Sequence, residues 1–140
     1  MIKAVVFDVG GVLISNDSFL EENDVDPYND IFQLVYDLKK NYTLAILSNA
    51  CLTHIKKLKD KGIYDPFDPI ILSGEVGFQK PQKEIYEHLL VKMNLSPEEV
   101  VFIDDLLENI KGARNVGINA ILYKDPEDLK RNLRKLGVKI

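Results

Sequence analysis

The run Ile2-Lys-Ala-Val-Val-Phe-Asp-Val-Gly-Gly-Val-Leu13 constrains the chain more than any other stretch. An apolar segment of strand length ends at Asp8, and two glycines follow at once. A carboxylate is thereby delivered to the C-terminal end of a strand, on backbone able to approach a ligand closely. Four further strand-like runs occur at Thr43–Leu47, Pro69–Leu72, Val100–Ile103 and Ala120–Tyr123. They alternate with helical periodicity near Pro27–Lys40, Leu52–Lys61, Lys83–Met93, Leu107–Val116 and Pro126–Leu136. Such alternation predicts βα units around a parallel sheet. In an open sheet of this kind ligands gather at the C-terminal strand edge.

Local signals support several boundaries. Ser96-Pro97-Glu98-Glu99 and Asp125-Pro126-Glu127-Asp128 each read as a helix start, with a capping side chain, proline in the first turn and an acid after it. Lys80-Pro81-Gln82 opens the helix before Ile85, and Gly62 and Gly117 suit helix C-termini. At 140 residues the chain is expected to form one domain, residues 1–140, with one substantial core. A formal net charge of -4 gives no bulk attraction for nucleic acid, so no nucleic-acid partner is expected. No apolar run approaches the roughly 20 residues that span a bilayer. The single cysteine, Cys51, rules out an internal disulfide and fits a reducing compartment. With no leader pattern before the first strand, a cytoplasmic protein is expected.

Three polar groups follow Asp8 at equivalent places: Ser48-Asn49 after the second apolar run, Lys80-Pro81 before a helix, and Asp104-Asp105 after Val100–Ile103. Each is ordinary alone. Asp8 could be a turn residue, Ser48 and Asn49 a cap, Lys80 one of 18 basic side chains, and the two acids a favourable helix entry. Together they offer a candidate nucleophile, neutral hydrogen-bond donors, a compact cation and hard oxygen ligands suited to Mg²⁺. Phe7, Phe102 and Tyr86 read as packing residues. Cys51 reads as a small buried or half-buried residue beside the site, and His88 as a surface residue.

This set resembles the haloacid dehalogenase-like (HAD) hydrolase superfamily over nearly the whole chain, through Asp8, Gly11 and Val12, through Ser48, through Glu75-Val-Gly-Phe-Gln-Lys-Pro-Gln-Lys-Glu-Ile-Tyr86, and through Asp104-Asp105. The resemblance implies a three-layer, doubly wound, Rossmann-like parallel sheet and a Mg²⁺-dependent phosphohydrolase acting on a phosphorylated small molecule. Asp8 would be the nucleophile; Ser48, Asn49 and Lys80 would bind the phosphoryl group. Asp8, the Gly10 carbonyl, Asp104 and Asp105 would hold the metal. Gly10 departs from the family's usual second aspartate, which serves there as general acid and base. Three consequences are open: a substrate with a good leaving group, such as an acyl or anomeric phosphate; an acid recruited from elsewhere, with Asp17 and His54 nearest in sequence; or binding with little turnover. The segment Ile14–Asp30, 17 residues rich in Asn and Asp, stands where many relatives carry a cap domain. It is too short for one, so a short flap and an open site are expected. A neighbouring subunit of a homo-oligomer could cover that site. Two other readings compete: a metal-independent 2-haloacid dehalogenase, and a non-catalytic module that binds a phosphate or a protein.

Overall fold

A computed structural model describes all 140 residues. Its centre is a five-stranded, wholly parallel sheet built from β1 (Ala4–Phe7), β2 (Thr43–Ser48), β3 (Ile70–Leu72), β4 (Val100–Asp104) and β5 (Asn119–Leu122). The strand order is β3-β2-β1-β4-β5. The chain therefore winds outward from β1 to β3, then crosses back to place β4 on the other side of β1. The reversal opens a crevice between β1 and β4 at their C-terminal ends.

Parallel strands carry helices on both faces, and the period-two alternation of side chains divides this core in two. Val5, Phe7, Leu44, Ile46, Val101 and Ile103 face one way, against α1 (Asn29–Lys39), α2 (Leu52–Asp60) and α6 (Pro126–Lys135) through Ile31, Leu34, Leu38, Leu58, Leu129 and Leu133. Ala4, Val6, Ala45, Leu47, Val100 and Phe102 face the other way. They meet α4 (Lys83–Met93) and α5 (Leu107–Asn115) through Ile85, Tyr86, Leu89, Ile110 and Ala113. Helix, sheet and helix make the three layers expected. Each large apolar side chain buried this way contributes about 1.5–3 kcal/mol.

The predicted strands and main helices are all present, with ends displaced by one or two residues. Gly62 and Gly117 have positive φ just beyond α2 and α5. Two details differ from the sequence reading, and a third refines it. Ser96–Glu99 starts only a 3-10 turn, Pro97–Glu99, because Val100 must enter β4 at once. A short helix, α3 (Ser73–Val76), follows β3 directly. The stretch from Ile14 holds no cap domain, yet it is more ordered than a loop. Ile14 is buried and bridges both Gly10 and Pro27, and Asn16–Phe19 forms a 3-10 turn capped by the Ser15 side chain.

The turn before β4 is fastened to β1. The Ser96 backbone N–H and hydroxyl both donate to Glu99, and Lys3 Nζ lies 2.6 Å from the other Glu99 carboxylate oxygen. These bonds hold the Glu99 carboxyl at about 2, well below its ordinary 4.5. A depressed acid stabilises the fold above its unfolded pKa and loses that effect as pH falls through its folded pKa. The melting-temperature difference between wild type and Glu99→Gln is therefore expected to be full above pH 4.5 and to shrink towards pH 2, as calorimetry across that range can check.

Candidate functional site

Register alone brings the first two acids together. Phe7 pairs with Ile103 across β1 and β4, so the next residues, Asp8 and Asp104, stand side by side on the α4/α5 face. The Asp8 N–H donates to the Ile103 carbonyl at 2.9 Å and carries the pairing past the strand end. Lys80 enters from the loop ahead of α4. Its ammonium donates to Asp8 Oδ1 and to Asp104 Oδ2, both at 2.8 Å, and lies 5.2 Å from the centroid of the Phe102 ring. The Lys80 side chain is 1% exposed. A charge so deeply buried is tolerated only when paired, and these two carboxylates pair it.

The lysine backbone is also fixed. Lys80 N–H donates to Asn49 Oδ1 at 2.8 Å, and Asn49 Nδ2 returns a bond to the Lys80 carbonyl at 3.1 Å. Asn49, expected to bind substrate, lines the cleft, and its side chain also bonds both polar groups of the Lys80 backbone. It acts as a positioning residue joining the end of β2 to the lysine loop. Asp104 is equally committed: Oδ1 accepts from the Leu106 N–H at 2.9 Å, and Oδ2 accepts from Asn109 Nδ2 at 3.1 Å as well as from Lys80. Asn109 is in turn set by α5 and by the Tyr86 hydroxyl, which donates to its carbonyl at 2.7 Å. Tyr86 is core, as expected, but its hydroxyl also braces the site.

Asp8, Asp104 and Asp105 place carboxylate oxygens within 4.8 Å of one another. Three carboxylates against one ammonium leave two negative charges in excess. Burial and the neighbouring Asp104 push the Asp8 carboxyl above its usual range against the pull of Lys80, and the same two influences raise Asp105. An excess of two negative charges on hard oxygens suits a divalent cation, and Mg²⁺ fits this donor set. Asp104 already accepts from three protein donors, whereas Asp105 lines the cleft.

The cleft over this cluster measures about 220 Å³ and is lined by Asp8, Gly10, Ser48, Asn49, Lys80 and Asp105, with Asn16 and Phe19 from the flap and Leu106 and Asn109 from the β4–α5 side. Six of the seven predicted site positions line it directly, and Asp104 lies beneath it. Neither Asp17 nor His54 does: Asp17 is exposed, and the His54 ring packs 5.0 Å from the Phe19 ring. Cys51 is exposed at the N-cap of α2 rather than buried or half-buried, and does not line the cleft; Ala50 takes the buried place beside it. Sequence reasoning missed Asn16 and Phe19. Their only signal was an Asn and an aromatic a few residues past the glycine pair, which no periodicity marks.

Gly11 makes the close approach possible. Its φ is +81°, and a β-carbon there would run into the Asp105 carboxylate. A left-handed non-glycine residue costs about 1–2 kcal/mol. Gly11→Ala is therefore expected to lower stability in chemical denaturation by at least that amount, and to displace Asp105.

The comparisons agree with this geometry. The haloacid dehalogenase-like hydrolase family matches residues 5–123. Glyceraldehyde 3-phosphate phosphatase of Methanothermobacter thermautotrophicus is 38% identical over 99 residues, which are 69% of this chain and 44% of that protein. Bifunctional epoxide hydrolase 2 of Rattus norvegicus is 35% identical over 103 residues, 70% of this chain and 19% of that protein. The chain thus spans less than half the length of either relative. Among solved structures, a HAD family enzyme of Bacteroides thetaiotaomicron in complex with magnesium and inorganic phosphate superposes with a TM-score of 0.77. It is 20% identical, over 89% of this chain and 95% of that one. From β1 to the residue after β5, this chain belongs to the haloacid dehalogenase-like hydrolase family.

Proposed function

We propose that this chain is a Mg²⁺-dependent phosphohydrolase that works through an aspartyl-phosphate on Asp8, acting on a small or accessible phosphorylated substrate. The observation that carries the reading is the buried Lys80 ammonium shared by Asp8 and Asp104, next to a third carboxylate, at the switch point of the sheet. The phosphatase activity named for the archaeal relative and the magnesium and phosphate bound by the Bacteroides enzyme support it.

In this reading Asp8 attacks phosphorus with one carboxylate oxygen while the bond to the leaving oxygen breaks. Water then cleaves the new phosphorus–oxygen bond and returns Asp8 as a carboxylate. A carboxylate is a weak nucleophile, so its value depends on being held in line. The Lys80 contact and the Asp8 N–H bond to β4 do that holding. Lys80 also offers charge to the phosphoryl oxygens, and Ser48 presents a hydroxyl from the end of β2. Asp8, the Gly10 carbonyl and Asp105 would hold Mg²⁺, with Asp104 behind them orienting Lys80. When bound, the ion would neutralise charge on the transferring group and orient it.

The apolar-carbon alternative fits less well. A haloacid dehalogenase needs no cation, whereas this cleft gathers three acids, and the 17-residue flap is too short to form the cap domain such an enzyme uses to exclude water. The test is release of inorganic phosphate from acetyl phosphate. Turnover is expected with Mg²⁺, and its loss on chelation and in Asp8→Asn, by a factor of at least about 10³, would follow from losing the nucleophile. Turnover that survives Asp8→Asn would refute the assignment, and a purified protein inactive on every phosphate tried would favour a binding module.

A further inference from the structure

The flap is fastened over the cleft. Lys57 of α2 donates to the Ser18 carbonyl at 2.6 Å and to the Leu20 carbonyl at 2.8 Å. The buried Ser18 hydroxyl accepts from the Asp26 N–H at 2.8 Å, and the Ser15 N–H donates to the Asp26 carbonyl at 2.9 Å. With the His54 ring against Phe19, these bonds fix where Asn16 and Phe19 sit. They sit over Gly10: a β-carbon there would come within 2.5 Å of Phe19 Cε2 and 2.7 Å of Asn16 Oδ1. Position 10 is glycine in a place already filled by the flap.

The consequence is chemical. The titratable groups lining the cleft are Asp8, Lys80 and Asp105. Asp8 attacks, Lys80 is tied between two carboxylates, and Asp105 belongs to the acid cluster that would hold the metal. The flap adds an amide and a phenyl ring, neither of which gives up a proton. In an in-line displacement the leaving group departs on the side opposite Asp8, within a cleft that Asn16 and Phe19 of the flap also line. Resting on the function proposed above, we infer that the cleft takes acyl phosphates, with Asn16 as the specificity-determining residue that meets the leaving group.

An acyl phosphate balances without an acid. Asp8 carboxylate and R–CO–O–PO₃²⁻ give Asp8–CO–O–PO₃²⁻ and R–COO⁻; the electron pair of the broken bond stays on a carboxylate, whose conjugate acid is stronger than any neutral water or alcohol. Water and the aspartyl-phosphate then give Asp8–COO⁻ and H₂PO₄⁻, and again no group of the protein must lend a proton. An alkyl phosphate would expel an alkoxide, which needs one. The Asn16 carboxamide can donate to the carbonyl oxygen of the acyl group, an oxygen that an alkyl phosphate lacks.

The test compares kcat/KM for acetyl phosphate and ethyl phosphate in wild type and in Asn16→Asp, with Asp8→Asn as background. General acid catalysis is worth about 10²–10⁴-fold, so wild type is expected to favour acetyl phosphate by at least about 10². Asn16→Asp, which puts a carboxyl where the leaving oxygen departs, should narrow that ratio tenfold or more. A purely structural flap would alter both substrates alike and leave the ratio unchanged, which would overturn the role of Asn16. Wild-type turnover of both substrates within tenfold, still dependent on Asp8, would overturn the acyl-phosphate assignment while the phosphohydrolase reading stands. The wild-type comparison needs no variant, so it decides even if Asn16→Asp fails to fold. Asp8-dependent turnover of neither substrate would refute both.

Discussion

One buried ammonium organises this protein. Lys80 sits between Asp8 and Asp104 at 2.8 Å from each, and almost every other feature of the site exists to place one of those three groups. Strand register delivers the two acids, Asn49 clamps the lysine backbone, Asn109 and the Leu106 N–H saturate Asp104, and Tyr86 steadies Asn109. Removing the charge would strand two carboxylates in the interior, a loss of about 3–5 kcal/mol in comparable buried pairs. So large a dependence on one side chain makes more sense as preorganisation for chemistry than as support for the fold. The sheet already has a full apolar layer on each face.

The excess of negative charge completes that argument. A lysine paired with two acids and crowded by a third is not electrically finished, and the upward displacement of Asp8 and Asp105 expresses the strain. Protons or a divalent cation can relieve it. Only the cation leaves Asp8 ionised and able to attack, which is why the proposed function gives this cluster a hard divalent metal.

The fold was legible because its signals are strong and local. Short β-branched runs that end in polar residues, helices entered at Asp125-Pro126 and left at Gly62 and Gly117, and an acid directly after β1 all act within a few residues of themselves. The positions that come together at the site followed from where those runs end. Other features were hidden for a physical reason. The bonds between Asn49 and the Lys80 backbone join residues 31 apart, so no local pattern shows them. The choice between Asp104 and Asp105 depends on donors contributed by α5 and by Lys80. The flap carries neither helical nor strand periodicity; part of its order comes from Lys57 on α2, a long-range contact that no reading of residues 14–30 can contain. Ser96–Glu99 shows the opposite limit, a complete capping pattern that yields one turn because β4 claims the next residue.

The central claim is that Asp8 forms a covalent phosphoryl intermediate. It is tested most directly by acid-quenching the protein during turnover of ³²P-labelled acetyl phosphate with Mg²⁺, then mapping the labelled peptide. The account predicts a hydroxylamine-sensitive label on the peptide bearing Asp8, absent from Asp8→Asn. Label on another residue, or steady phosphate release with no labelled protein at any quench time, would contradict it.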